Sequence, residues 1–333
     1  MTRSATLALF LVLGVAVSVT ACEDDDDPDV IVDGGDGDAG DAAVGDADVG
    51  DAAEPTQDIV EVATSMPDTF SSLVAALQRA ELVDELQGDG PFTVFAPTDD
   101  AFQALLDGNE EWDDVEDIPE DTLTAVLTYH VIEGAEVSSS DVEALDPPVA
   151  DTVSGLTLWF ETDDGVAVND ASVVTPDVLA TNGVIHVIDE VLLPPSAADF
   201  AEIADLTELV TAVGAAAEIE PGTTVADVLD DDEATLTVFA PTDEAFGDVD
   251  TGSLTDEQIR DVLLYHVIEG SAVDSESIPG SATTALGDDL TFDTSGEAVV
   301  VNPDDESANV TIPDIMVTNG IVHVIDAVLL PEL

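Results

Sequence analysis

The chain has 333 residues, of which 76 are acidic and three are basic, so its formal net charge is −73. Three arginines cannot neutralise a row of phosphates, so we exclude nucleic acid and anionic lipid headgroups as direct partners of the globular part. Hydrophobic residues make up 45% of the chain, a share typical of globular proteins, and the length is sufficient for two domains.

The N-terminal residues are typical of an export signal. Arg3 supplies a positive charge, and residues 5–19 form an almost uninterrupted apolar run that is short for a membrane-spanning helix. The segment Val19-Thr20-Ala21-Cys22 resembles the lipobox of bacterial lipoproteins, in which the cysteine becomes the lipidated first residue of the mature protein. We therefore expect a signal peptide over residues 1–21 and membrane attachment through a lipid on Cys22. A plain secretory signal, which would leave Cys22 unmodified, is the alternative.

Residues 22–57 are predicted to form an acidic, disordered tether. Asp, Gly and Ala dominate this segment, and its few large side chains cannot bury enough apolar area to offset the entropy of ordering. Its carboxylates do not follow the EF-hand pattern. We therefore expect no specific calcium site here, and at most weak binding of divalent cations by the acidic chain.

From residue 58 onward the chain repeats itself. Three segments recur in the same order: TVFAPTDDAF at 93–102 and TVFAPTDEAF at 237–246, YHVIEG at 129–134 and 265–270, and NGVIHVIDEVLLP at 182–194 and NGIVHVIDAVLLP at 319–331. Such matches predict a tandem duplication of one domain. We call residues 58–195 the first repeat and residues 196–333 the second repeat.

The first repeat opens with a predicted helix over residues 69–86, because its apolar residues recur at helical spacing. Residues 91–96 are predicted to form a buried strand, and either Thr98 or Asp99 is expected to cap the helix that follows. The second repeat has the same pattern over residues 200–246.

An acidic segment, a helix and a last strand follow, and only the helix and the strand occur in both repeats. Residues 108–114 are unique to the first repeat and predict an acidic surface loop around one tryptophan. Apolar residues over 123–131 then predict a helix with His130 on its apolar face. The last strand, expected over 184–193 and again over 321–330, is apolar on both faces and is therefore predicted to be central in its sheet.

The four histidines of the chain fall into two equivalent pairs, His130 with His186 and His266 with His323. A zinc ion needs three or four ligands, and the sequence has no His-x-His, His-Glu-x-x-His or cysteine cluster to supply the others. We therefore expect no metal and no cofactor, and we predict that all four histidines are structural, hydrogen-bonded core groups. The absence of a nucleophile elbow, a Walker loop and a dinucleotide-binding glycine pattern argues against an enzyme.

The three recurring segments closely resemble the first conserved box, the tyrosine–histidine box and the second conserved box of the fasciclin domain. The resemblance covers roughly residues 58–333. It implies an α+β fold with two tandem domains, each a β-wedge flanked by α-helices. It also implies an extracellular adhesion or interaction module rather than an enzyme.

The same resemblance suggests where a ligand would bind. The segment 313–316, Pro-Asp-Ile-Met, is similar to the Asp–Ile element with which animal fasciclin domains bind integrins, and segment 176–179 is its first-repeat counterpart. The tyrosine–histidine box is implicated in cell adhesion in the same family. The implied ligand-binding residues are Asp177, Val178, Asp314, Ile315, Tyr129, His130, Tyr265 and His266. The alternative is that each Pro-Asp-aliphatic segment is only a turn capped by its aspartate.

These features together predict a lipid-anchored protein of the bacterial cell envelope, at the outer membrane, the cell surface or the periplasmic face. Its expected work is adhesion without catalysis, with an extracellular or envelope protein or a polysaccharide as partner. One alternative is a structural or assembly factor of the envelope. Another is an enzyme or small-ligand carrier that uses a groove beside the paired histidines.

Overall fold

The computed structural model describes residues 55–162, 165–217, 225–231, 233–249, 251–296, 299–302 and 307–331. The predicted signal peptide, Cys22 and most of the predicted tether lie outside these residues. Within the described ranges, no helix is long and apolar enough to cross a membrane.

The helices and strands of the first repeat appear again in the second in nearly the same order. The first repeat runs through α1 (Ile59–Ser65), α2 (Pro67–Arg79), α3 (Val83–Leu86), β1 (Phe92–Pro97), α4 (Asp99–Asp107), a 3-10 turn (Val115–Asp117), α5 (Glu120–Tyr129), β2 (Val131–Glu133), α6 (Ser139–Val142), β3 (Val149–Asp151), β4 (Thr157–Glu161), β5 (Ala167–Val168), β6 (Ala171–Ala180) and β7 (Gly183–Ile188). The second runs through α7 (Ala197–Ile203), α8 (Thr207–Ala217), α9 (Val225–Leu229), β8 (Leu236–Pro241), α10 (Asp243–Gly247), a 3-10 turn (Thr251–Ser253), α11 (Asp256–Tyr265), β9 (Val267–Glu269), β10 (Ser281–Thr283), β11 (Asp289–Asp293), β12 (Val300–Val301), β13 (Ala308–Val317) and β14 (Gly320–Ile325).

The strands of each repeat form one sheet, which in the described residues has seven strands. The order in the first repeat is β2-β1-β7-β6-β5-β4-β3, and the second repeat has the matching order β9-β8-β14-β13-β12-β11-β10. In both sheets one central pair is parallel, β1 with β7 and β8 with β14, and the other pairs are antiparallel. The predicted α+β class with tandem domains is therefore confirmed.

Two apolar cores lie on the opposite faces of each sheet. In β1, Val94 and Ala96 belong to a cluster shared with α1, α2 and α5, whereas Phe95 belongs to a cluster shared with β4 and β5. This alternation follows from the two-residue period of a strand. Every residue of β1 and β7 is buried, as the apolar sequence of the last strand predicted for a central position.

The predicted helix over residues 69–86 is wrong in its extent. The helix begins at Pro67, whose fixed φ suits the first turn, and it ends at Arg79. Glu81 then adopts a left-handed φ of 57°, which interrupts the helix before the short α3 begins. The predicted cap of the next helix is correct at Thr98, whose hydroxyl accepts a hydrogen bond from the N–H of Ala101.

Two other expectations need correction. The last strand ends at Ile188 rather than at residue 193, because beyond it the chain bonds to side chains: the N–H of Leu192 donates to His130. His130 is the C-terminal cap of α5 and not a residue of its interior. Trp112 is half-buried against the helical core of the first repeat, so the acidic loop is attached to the fold through its aromatic residue.

Candidate functional site

The aspartate of each Pro-Asp-aliphatic segment lies at an irregular point of a long strand. The pairing of β6 with β7 shifts register between Thr175 and Val178, and the pairing of β13 with β14 shifts between Ile312 and Ile315. Asp177 and Asp314 have left-handed φ angles of 57° and 62°. An aspartate tolerates this conformation better than most residues, and the strand bends there.

The carboxylate of each aspartate is bound within its own repeat. Asp177 accepts hydrogen bonds from the N–H of Ser139 at 2.9 Å and from its hydroxyl at 2.5 Å. Asp314 accepts from the N–H of Ser275 at 2.6 Å and also from the hydroxyl of Ser275. The hydrogen bonds from Ser139 hold the pKa of Asp177 below its ordinary value. Each Pro-Asp-aliphatic segment therefore lies within a strand, and its aspartate binds a serine that is distant in the chain rather than capping a turn of its own segment.

The second histidine of each pair supports the same bend. In the first repeat, Nδ1 of His186 accepts the N–H of Asp177 at 3.3 Å, and Nε2 donates to the carbonyl of Val137 at 2.7 Å. His323 makes the equivalent bonds to Asp314 at 3.1 Å and to Val273 at 2.9 Å. Because Nδ1 accepts in both cases, Nε2 is the ring nitrogen that donates to the carbonyl.

The first histidine of each pair joins a helix end to the chain after the last strand. Nδ1 of His130 donates to the carbonyl of Val126 at 2.7 Å, and Nε2 accepts the N–H of Leu192 at 2.9 Å. His266 repeats both bonds at 2.7 and 2.9 Å, with Val262 and Leu329. Burial lowers the pKa of both histidines to about 4, so both are neutral at pH 7.

The hydroxyl groups of the tyrosines beside these histidines are also hydrogen-bonded within the fold. The hydroxyl of Tyr129 donates to the carbonyl of Thr157 at 2.9 Å and accepts from Asn169 at 2.5 Å. Burial raises the pKa of Tyr129. Tyr265 makes the corresponding bonds in the second repeat. Tyr129, His130, Tyr265 and His266 are all buried.

All ring nitrogens of the four histidines are thus occupied by backbone groups. In the ranges that the structure describes, no group of three or more His, Cys, Asp or Glu side chains could hold a metal ion. Their geometry is that of structural groups, the role that the sequence predicts for them.

The two repeats differ in how much of the bent strand is exposed. In the first repeat Leu179 is 63% exposed and Val178 is half-buried, whereas their counterparts in the second repeat, Met316 and Ile315, are half-buried and 1% exposed. Both repeats belong to one compact unit, and the N–H of Met316 donates to the hydroxyl of Thr157 in the first repeat at 3.0 Å. Met316 is the counterpart of Leu179. The first repeat therefore covers the strand edge at Met316, whereas its own equivalent edge at Leu179 remains exposed.

Aromatic packing completes the contact between the repeats. Trp159 of β4 packs edge-on against Phe200 of α7, with ring centroids 5.7 Å apart and planes at 81°. Trp159 also packs against the apolar core of the second repeat that contains Ile315. Sequence reasoning had not assigned this role to Trp159, nor had it singled out Val174 and Leu179.

Comparison with known proteins identifies relatives of both repeats. A sequence model of the Fasciclin domain matches residues 68–194 and 204–331. Protein sll1483 of Synechocystis is 50% identical over 146 residues, which are 41% of this chain and 73% of that protein. Human periostin is 31% identical over 265 residues, 76% of this chain but only 30% of periostin. The solved FAS1 domain pair of the insect cell adhesion molecule fasciclin I is 21% identical, with a TM-score of 0.47, over 78% of this chain and 97% of the pair.

Proposed function

Because the chain belongs to the fasciclin domain family, we propose that it is an adhesion or interaction protein of the bacterial cell envelope that works without catalysis. Its partner is another protein, a cell or a matrix polysaccharide. In this proposal a lipid on Cys22 anchors the chain, and residues 22–57 hold the two repeats away from the membrane.

The exposed edge of β6 is the observation that carries this proposal. The neighbouring strand β5 pairs only with Ala171 and Ser172, so the outer edge of β6 beyond Ser172 has no strand partner among the described residues. Val174 and Leu179 are two of the four large hydrophobic side chains that are exposed in the described residues. An open strand edge with exposed apolar side chains is a common site for binding another chain.

The second repeat supports this use of the edge. There the equivalent N–H, that of Met316, binds a hydroxyl from outside its own repeat, and an aromatic ring packs nearby. We infer that a partner of the first repeat combines the same two features, a hydrogen-bonding group for the strand edge and an apolar group for Leu179. The locked conformation of Asp177 keeps this edge preformed, which lowers the entropy cost of binding.

Charge restricts the choice of partner. With a net charge of −73, the protein attracts basic surfaces, does not repel neutral ones and repels anionic ones, unless divalent cations bridge the two. The repulsion is screened beyond roughly 8 Å at 0.15 M salt, so it acts mainly at close approach. A neutral polysaccharide or a basic protein therefore fits this surface best.

The side chains of the tyrosine–histidine box argue against an enzyme. His130, His266 and both tyrosines are buried, and each polar atom already has a partner in the fold. A general base must instead be within hydrogen-bond reach of a substrate.

A capture experiment tests the proposal. Beads coated with the protein are challenged with bacterial cells and with extracted matrix, using wild type and Leu179→Ser. Removing a leucine that becomes buried on binding costs roughly 1.5–3 kcal/mol, so capture should weaken by about tenfold or more. Val153→Ser is the matched control, because Val153 is an exposed valine (44%) on the β3–β4 hairpin, away from β6.

Equal capture by wild type and Leu179→Ser would contradict the proposed edge. If nothing is captured at any salt or calcium concentration, the adhesion role itself is excluded. A defined stoichiometric partner in crosslinked membranes would then favour the structural or assembly role.

A further inference from the structure

The second repeat contains a cavity that the first repeat lacks. It has a volume of about 300 Å³ and lies between α7, α8, α9 and the strand β8. The corresponding place in the first repeat, between α1, α2, α3 and β1, has a cavity of only about 20 Å³. Since the sheets of the two repeats have the same order and register, the difference arises in the helices.

Equivalent hydrogen bonds identify which residues correspond. The N–H of Ile59 donates to the side chain of Asn182, and the N–H of Ala197 donates to that of Asn319 in the same way. Ile59 and Ala197 therefore occupy the same position, and the second repeat has the smaller side chain there.

The longer helices, α2 and α8, also differ in side-chain size, and the second repeat again has the smaller side chains. Ser71 in α2 donates its hydroxyl to Asp99, the first residue of α4, and Thr207 in α8 donates its hydroxyl to Asp243, the first residue of α10. These equivalent bonds align α2 with α8. Six and seven residues further on, Leu77 corresponds to Val213, and Gln78 corresponds to Gly214. Each replacement removes side-chain volume, and Val213 and Gly214 both line the cavity. The cavity thus follows directly from the sequence of the second repeat.

The inner wall of the cavity is apolar. Leu209, Leu229 and Leu263 are buried and line it. His266 also lines it, but both of its ring nitrogens are bound to the backbone. Across the described residues, no buried side-chain nitrogen or oxygen lacks a hydrogen-bond partner. The interior therefore offers a ligand apolar contacts and no free polar group.

The outer part of the lining is acidic. Glu202 and Asp230 line the cavity and are exposed, as is Gly214, so the cavity reaches from the surface to the core. Carboxylates at the opening repel an anion and tolerate a neutral or cationic molecule.

We propose that the second repeat binds a small apolar molecule without negative charge in this cavity. An apolar cavity of roughly 150 Å³ stays dry and takes up benzene. A cavity of about 300 Å³ therefore suits a molecule of two aromatic rings or a hydrocarbon of similar size. This site is separate from the edge of β6, and it does not depend on the adhesion role.

A pair of fluorescent probes tests both the apolar and the charge requirement. N-phenyl-1-naphthylamine is neutral, and 8-anilinonaphthalene-1-sulfonate has the same rings with an added sulfonate. Titrated into the whole protein at neutral pH, the neutral probe should bind saturably with one site per chain. The sulfonate should bind at least about tenfold more weakly, a difference of about 1.4 kcal/mol. Absence of saturable binding, or equal binding of both probes, overturns the proposal.

Variants that copy the first repeat locate the site. Ala197→Ile combined with Val213→Leu fills the cavity from two walls and should abolish binding of the neutral probe. Gly214→Gln is a second, gentler variant, because a Cβ at Gly214 meets no atom within 4 Å and the change also favours the helix. It should weaken binding several-fold.

The reverse change in the first repeat is the matched control. Leu77→Val enlarges the tight counterpart site and leaves the second repeat untouched, so probe binding should not fall. If Gly214→Gln and a folded double variant both bind the probe as wild type does, the probe lies elsewhere and the assignment is wrong.

Discussion

The two repeats share one hydrogen-bond framework but differ in the side chains packed around it. In the first repeat the side chain of Asn182 accepts the N–H of Ile59 and donates to the carbonyls of Leu86 and Gly88. The side chain of Asn319 makes the same three kinds of bond in the second repeat. Buried polar groups lose much free energy when a partner is removed, whereas apolar positions tolerate changes in size at a moderate cost. Duplication has therefore left the polar framework intact while the helical cores diverged.

The divergence also separates two binding modes. The first repeat has an open strand edge and only about 20 Å³ of cavity between α1, α2, α3 and β1, whereas the second has a covered edge and a cavity of about 300 Å³ at the corresponding place. An open edge suits a macromolecule, whereas a cavity suits a small molecule. Each of the following predictions compares the repeats, and the expected effects become smaller from one to the next.

Loss of a framework histidine should destabilise the repeats equally. His130→Ala leaves the carbonyl of Val126 and the N–H of Leu192 without their partner and also creates a cavity. We expect a loss of roughly 4 kcal/mol in the free energy of unfolding of the first repeat. His266→Ala should cost the second repeat a similar amount. Urea unfolding measures both, and a loss below roughly 1 kcal/mol in either would contradict a shared framework.

Acid should weaken both repeats through the same two histidines. Burial lowers the pKa of His130 and His266 to about 4 from an unfolded value of 6.5. Between these pH values the unfolded chain binds protons that the folded chain does not, so stability is complete above pH 6.5 and falls as the pH approaches 4. One pKa unit corresponds to about 1.4 kcal/mol, so the loss should approach roughly 3 kcal/mol for each histidine.

Imidazole NMR titration checks this pH dependence directly, because the chain has only four histidines. The signals of His130 and His266 should stay those of a neutral ring down to about pH 4.5. Titration of either ring near pH 6.5 would show that it is accessible to water, and the common framework would then fail for that repeat.

Exchanging one core residue between the repeats should have opposite effects. Leu77→Val removes a methylene from a tightly packed core, where Leu77 is 5% exposed, and should cost about 1 kcal/mol. Val213→Leu adds a methylene beside the larger cavity and should be neutral or slightly stabilising. Urea midpoints of the two single variants test this, and equal destabilisation by both would mean that the helical cores are packed alike.

The sequence predicted the features that depend on local residue patterns. It did not predict the contacts and the cavity that are formed by side chains far apart in the chain. The repeated segments predicted the duplication, their resemblance to the fasciclin domain implied the α+β class, and the apolar periodicity around His130 predicted its burial. The contact between Met316 and Thr157 joins residues 159 positions apart, and no local pattern encodes it. The cavity depends on the summed volumes of side chains from three helices, and no local pattern shows that Ala197 and Gly214 line the same space. The segments before residue 55 keep their predictions unchanged.

Site-specific photo-crosslinking tests the central claim, that the first repeat binds the partner through its open edge. A photoreactive phenylalanine is placed at position 174 or at its counterpart 311, where Val174 and Thr311 are both exposed. The protein is then illuminated on intact cells and extracted matrix. We predict a crosslinked product from position 174 and little or none from position 311. Equal crosslinking from both positions, or crosslinking from 311 alone, would contradict the account.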